Sequence, residues 1–92
     1  MKKNQVELQH FILSQFMTQC NVSESVALQD MNVIMISYAH AALISLIDYP
    51  EKDVEALKTM FINEIKNALL AKHSSHECFV KCISTNIYNR AK

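Results

Sequence analysis

The sequence predicts an all-α fold, an antiparallel four-helix bundle formed by a single domain over residues 1–92. The chain has no glycine and one proline, whereas tight β-hairpin turns and left-handed helix ends favour glycine. Apolar residues recur at helical spacing in four segments that are joined by short connections. With 50% hydrophobic and 20% charged residues, the composition is that of a globular domain rather than a disordered chain.

The first predicted helix covers about residues 4–20. An apolar stripe at a spacing of three and four residues runs through it from Leu8 to Cys20. Asn21 and Ser23 are both favoured N-cap residues, so the next helix is expected after a very short turn. Two helices joined in this way run antiparallel.

The second predicted helix covers about residues 23–48 and is apolar almost all the way round. At about 100° per residue, Asp30, Ser37 and Asp48 fall close to one line, the only stripe that the pattern assigns to solvent. A helix with this distribution lies at the centre of a bundle or in an interface. We therefore expect the second helix to be the central one.

The third predicted helix covers about residues 50–72. It begins at Pro50, since proline is favoured at the first helical position, and the acidic residues that follow suit the positive end of a helix dipole. Ser74 and Glu77 have the spacing of a capping box, which predicts the last helix over about residues 75–88.

Two histidines and two cysteines lie within the stretch HSSHECFVKC, residues 73–82. Structural zinc needs four tetrahedral nitrogen or sulfur ligands, and this spacing is not a standard zinc pattern. The helical wheel also turns His76 away from the thiols, which leaves His73, Cys78 and Cys82 as three candidate ligands at best. We predict no metal site and no cofactor, with the two cysteines packing as small apolar side chains.

No residues have the spacing of a catalytic site, so no enzymatic activity is predicted. His40 lies about 15 Å from Asp30 and about 12 Å from Asp48 along the helix axis, too far for either carboxylate to orient it. Nine basic and nine acidic side chains cancel, so no net charge attracts nucleic acid or anionic lipid. The longest nearly apolar run, residues 33–47, is too short to span a bilayer.

The predicted function is a small non-enzymatic protein–protein interaction module, a regulator, inhibitor or adaptor that docks through a helix face. The second helix has more apolar surface than its neighbours can cover, so we expect Met31, Met35, Tyr38 and His40 to contact another protein or a second copy in a homodimer. Three cysteines without a secretory segment favour a cytoplasmic location. The alternatives are a metal- or thiol-dependent sensor that uses the two thiols of the last helix, and a weak helical DNA-binding regulator.

Overall fold

The computed structural model is a four-helix bundle, which confirms the predicted fold class. It describes residues 3–41, 43 and 51–90. The helices are α1 (Lys3–Cys20), α2 (Glu24–His40), α3 (Glu51–Leu70) and α4 (His76–Arg90). Over these described ranges there is no β-strand, and none of the helices is both long and apolar enough to cross a bilayer.

The four helices form a ring in which α2 packs against α1 and α4, and α3 packs against the same two helices. Between α2 and α4, Asp30 contacts His76, and Ser37 hydrogen-bonds Ser84 about two turns further along both helices. Because the residue numbers increase together from the first contact to the second, α2 and α4 run in the same direction. Since α2 and α3 each pack against α1 and α4, they lie diagonally opposite each other.

The contacts between α1 and α3 show that these two helices are also parallel. Lys58 Nζ donates to Glu7 Oε2 at 2.8 Å, and further along both helices the rings of Phe16 and Phe61 meet edge to face at 5.5 Å between centroids. Helices that follow one another in the sequence therefore run antiparallel.

The core is one cluster of side chains from all four helices. Tyr38 is fully buried, and its hydroxyl donates to the carbonyl oxygen of Leu57 at 3.0 Å. This bond joins α2 to α3 across the diagonal of the bundle and gives the buried hydroxyl a hydrogen-bond partner. The largest fully buried side chains are Tyr38, Phe16, Phe61, Leu8, Ile12, Ile34, Ile65, Ile83, Ile87 and Val54.

The turn between α1 and α2 depends on an asparagine. Asn21 has a φ of 54°, the left-handed conformation that ends many helices and that glycine usually supplies. Asparagine tolerates this conformation better than most residues. Ser23 then caps α2, because its Oγ accepts from the Val26 N–H at 3.3 Å. Of the two predicted caps, Ser23 has that role and Asn21 ends α1.

The start of α4 differs by one residue from the predicted capping box. Ser75, rather than Ser74, caps the helix, since its Oγ accepts from the Cys78 N–H at 3.1 Å. The Ser74 hydroxyl donates instead to Cys78 Sγ at 3.2 Å. The serine directly before the helix is closer to the free N–H groups of the first turn, which is why it provides the cap.

Helix α2 ends at His40 instead of residue 48. The Leu43 N–H donates to the carbonyl oxygen of Tyr38 at 2.9 Å, a wider turn than a helix makes. Leu43 packs against the core, and this contact stabilises the turn that ends the helix. The rest of the predicted helix, residues 44–48, and the predicted break at Pro50 lie outside the described residues.

The polar line predicted along α2 is buried, so the expectation that it faces solvent was wrong. Asp30 and Ser37 are each 7% exposed because both have polar partners on α4. Asp48, the third member of that line, lies outside the described residues.

The left-handed conformation of Asn21 makes a testable contribution to stability. We expect Asn21→Ala to lower the free energy of unfolding by about 1 kcal/mol. At a positive φ the alanine Cβ lies too close to the following carbonyl oxygen. Asn21→Gly removes that cost and should be nearly neutral. Urea denaturation measures both, with Asn63→Ala on the exposed side of α3 as the control. Equal losses in Asn21→Ala and Asn21→Gly would contradict the role given to this residue.

Candidate functional site

Three of the four residues predicted to contact a partner lie inside the chain's own core. Met31, Met35 and Tyr38 are 8%, 6% and 0% exposed, and His40 is exposed. Contact of the first three with another chain does not fit this burial, because the bundle would have to open to present them. His40 is the one member of the set that a partner can reach in this structure.

The solvent-facing side of α2 is formed by other residues, here called the outer face. They are Ser25, Leu28, Asn32, Ile36 and His40, all exposed, and their spacing of three and four residues places them along one side of the helix. Ile36 is 57% exposed and Leu28 is 41% exposed, and Asn32 lies between them. The outer face therefore presents two large aliphatic side chains on either side of one amide.

The outer face has no charged side chain over its length. The acidic residues of α2 are Glu24, which lies at the first helical position, and Asp30, which is buried. Lysine and arginine are also absent from the whole stretch between Lys3 and Lys52. The centres of protein–protein interfaces are depleted of charged residues, lysine and glutamate especially. This composition makes the outer face the surface of α2 best suited to contact another protein.

A buried ion-pair geometry lies on the opposite side of α2. His76 Nε2 is 2.6 Å from Asp30 Oδ2, with side chains that are 34% and 10% exposed. Since a carboxylate accepts only, Nε2 carries the donated hydrogen. The imidazole stacks on Phe79 at 5.8 Å between ring centroids and meets the edge of Phe16 at 6.5 Å. The pair thus holds the first residue of α4 against the middle of α2.

A groove between α2 and α4 opens over this pair. Its volume is about 510 Å³, and Asp30 and His76 lie among its lining residues together with Val33 and Val80. Glu77 and Lys81 lie on its α4 wall. The carboxylate at the base is already bonded to His76, so the groove offers a mixed polar and apolar surface with one charge of each sign on its α4 wall.

A second cavity, of about 380 Å³, lies at the C-terminal end of α1. Cys20 and His76 are both among its lining residues. Burial, and the negative charge of Asp30, raise the pKa of the Cys20 thiol. A raised pKa keeps the thiol protonated, whereas catalytic cysteines react as thiolates. The cysteine, the histidine and the carboxylate therefore lie in one region without forming an activated nucleophile.

The candidate metal ligands of the sequence have separate partners. His73 Nε2 is 3.1 Å from the carbonyl oxygen of Ala68, Cys78 Sγ accepts from Ser74, and Cys82 Sγ lies 3.8 Å from Asn86 Nδ2. In the part of the chain that the structure describes, no group of three or more His, Cys, Asp or Glu side chains is placed to hold a metal ion. The three cysteines are free thiols.

Sequence reasoning missed both the outer face and the pair between Asp30 and His76. A signal for the outer face was present, because Leu28, Asn32 and Ile36 recur every four residues without a charge among them. The pair joins residues that are 46 positions apart, and neither residue has a local pattern that selects the other. Only the position of its carboxylate in the middle of an apolar helix marked Asp30 as unusual.

The pair between Asp30 and His76 is expected to stabilise the bundle. Removing the imidazole in His76→Ala leaves a buried carboxylate unpaired, and we expect a loss of about 2 to 3 kcal/mol in the free energy of unfolding. Asp30→Ala in the same background should then cost less than it does alone, with a coupling energy of about 1 to 2 kcal/mol. Urea denaturation of both single variants and the double variant measures this coupling. Additive losses would contradict the interaction.

The thiols are expected to differ in reactivity. Hydrogen bonds from Ser74 and Ser75 lower the pKa of Cys78, so its reaction with iodoacetamide should reach its maximal rate at a lower pH than that of Cys20, whose pKa is raised. Ser74→Ala should slow the modification of Cys78 near neutral pH, and Ser25→Ala on α2 is the control. Mass spectrometry of the modified peptides follows each site. If Cys20 reached its maximal rate at a lower pH than Cys78, the prediction would be wrong.

Two surfaces of α2 are accessible in this fold: the outer face, and the groove beside α4. Val33, which is 40% exposed, lies on the groove side of the helix, so the two surfaces are neighbours. The chain matches no protein-family model, no curated protein and no solved structure.

Proposed function

We propose that this protein is a small non-enzymatic interaction module that binds another protein through the outer face of α2. It acts as a regulator, inhibitor or adaptor, and the location that we propose for it is the cytoplasm. The observation that carries the proposal is the exposure of Ile36 and Leu28 on a helix face without charge. Helix-face docking of this kind uses apolar anchors spaced by three or four residues and a polar rim.

The two aliphatic side chains supply the attraction. Complete burial of an exposed leucine or isoleucine contributes about 1.5 to 3 kcal/mol, and the exposed fractions of Ile36 and Leu28, 57% and 41%, correspond to about 1 kcal/mol each on that scale. Asn32 lies between them and Glu24 and His40 lie at the ends of the helix. These polar groups can select a partner whose own groups are placed to meet them.

The fold holds the outer face in a fixed orientation. On its inner side, α2 is attached to α4 through Asp30 and Ser37 and to α3 through the Tyr38 hydroxyl. A surface on a rigid helix loses little conformational freedom when it binds, which leaves more of the contact energy for affinity. Binding through this face does not require the helices to separate.

The proposal is tested by affinity capture with matched variants. Ile36→Glu places a charge at the most exposed aliphatic position of the outer face, and we expect it to abolish the recovery of any partner that the unaltered chain captures from its native cells. Leu70→Glu is the control, because Leu70 is 87% exposed at the end of α3, the helix diagonally opposite α2. Mass spectrometry identifies the captured proteins, and circular dichroism verifies that both variants are folded.

Equal recovery by Ile36→Glu and the unaltered chain would show that binding does not use the outer face. Loss of the same partner with Leu70→Glu would place the contact on α3 instead. Either result would contradict the proposal.

A further inference from the structure

We propose that the protein bound by the outer face is a second copy of this chain. The two α2 helices pack antiparallel about a twofold axis that passes next to Asn32. This inference rests on the proposed function, because it names the partner of the same surface. It is carried by the order of side chains along the outer face, which is complementary to itself when the helix is reversed.

A twofold axis at Asn32 pairs each residue with the one that lies equally far on its other side. Leu28 and Ile36 are four residues before and after Asn32, so the leucine of one copy meets the isoleucine of the other, and the pair occurs twice. Both side chains are exposed in the single chain. A contact of this isologous kind is how most homodimers form.

Asn32 itself suits a position on the axis. A side-chain amide has two donors and an acceptor, so two copies of Asn32 can hydrogen-bond each other without any other group. One asparagine within an apolar helix seam is also a known way to fix register and oligomeric state in packed helices. The polar residue in the middle of the outer face thereby contributes to specificity.

The polar groups at the two ends of the helix are also complementary in the same register. Glu24 and His40 are each eight residues from Asn32, so the glutamate at the start of one helix lies opposite the histidine at the end of the other. An imidazole N–H donates to a carboxylate whether or not the ring is protonated. The formal net charge of the chain is zero, and no like charges oppose each other along the pair of helices.

Moving the axis by one helical turn removes this match. With the axis at Leu28, Asn32 would lie opposite Glu24, and Ile36 would lie opposite Cys20 at the end of α1. Leucine would still meet leucine, but Ile36 would lose its apolar partner. The register centred on Asn32 gives both aliphatic side chains an apolar partner and places Glu24 opposite His40.

The register is tested by disulfide cross-linking of single-cysteine additions to the chain. Asn32→Cys should cross-link to its own copy, because facing residues next to the axis bring their Cβ atoms near the 3.5 to 4.5 Å that a disulfide needs, given helix axes about 8 to 10 Å apart. Ile36→Cys alone should not, since its two copies lie about 12 Å apart along the helices. A mixture of Leu28→Cys and Ile36→Cys should give the mixed dimer.

The controls separate this bond from the native thiols. The unaltered chain, with Cys20, Cys78 and Cys82, is oxidised in parallel, and Thr59→Cys on the exposed side of α3 measures random collision. Mass spectrometry of the cross-linked peptides assigns each disulfide. In sedimentation, Ile36→Glu should weaken the dimer by about tenfold or more, and Leu70→Glu should leave it unchanged.

A purified chain that sediments as a monomer at every concentration would overturn the twofold dimer. It would leave the proposed function standing if a different protein is captured and Ile36→Glu prevents that capture. Cross-linking of Ile36→Cys to itself as efficiently as Asn32→Cys would overturn the register, and a dimer insensitive to Ile36→Glu would overturn the interface. Self-linking at residue 32 together with the mixed dimer between residues 28 and 36 would support the inference.

Discussion

The contact between Asp30 and His76 is the constraint on which the arrangement of α2 depends. A carboxylate that is almost fully buried must have a hydrogen-bond partner, and its 2.6 Å contact with the imidazole supplies one from the first residue of α4. The Ser37 and Ser84 hydroxyls meet further along the same seam. These two polar contacts set both the rotation of α2 about its axis and its register with α4. Because the polar side of α2 is used inside the bundle, part of its apolar side is left in solvent.

The absence of glycine is a second constraint, because other residues must form the ends of the helices. Asn21 adopts the left-handed conformation that ends α1, and Ser23 and Ser75 supply side-chain oxygens that cap the following helices. Helix α2 ends through a wide turn that places Leu43 against the core. Asn21 thus does what glycine often does at the C-terminal end of a helix, and the two serines are favoured residues at helix starts. These ends allow the short connections between α1 and α2 and between α3 and α4.

The sequence predicted the helices well and the exposure of α2 poorly, for one physical reason. Helical spacing of apolar residues is a local pattern, so four segments could be recognised without knowing how they pack. Which side of an apolar helix is buried is a tertiary property. Counting polar residues assigned Asp30 and Ser37 to solvent, but a polar residue is buried at little cost when a partner on another helix satisfies it. Met31, Met35 and Tyr38 were expected at a surface for the same reason, since the pattern could not show that they face the core.

The observed rotation of α2 is favoured by size as well as by hydrogen bonding. Its buried side carries Tyr38, Ile34 and the two methionines, whereas its outer face carries two large aliphatic side chains separated by an amide. Turning the helix to bury Ile36 would expose larger apolar side chains and break the Tyr38 bond to α3, so it would lose more burial than it gains. The exposed aliphatic pair is therefore what remains after the best internal packing has been reached. A second helix with the reversed order of the same side chains can cover that pair without changing the bundle, and this is the physical basis of the dimer that we propose.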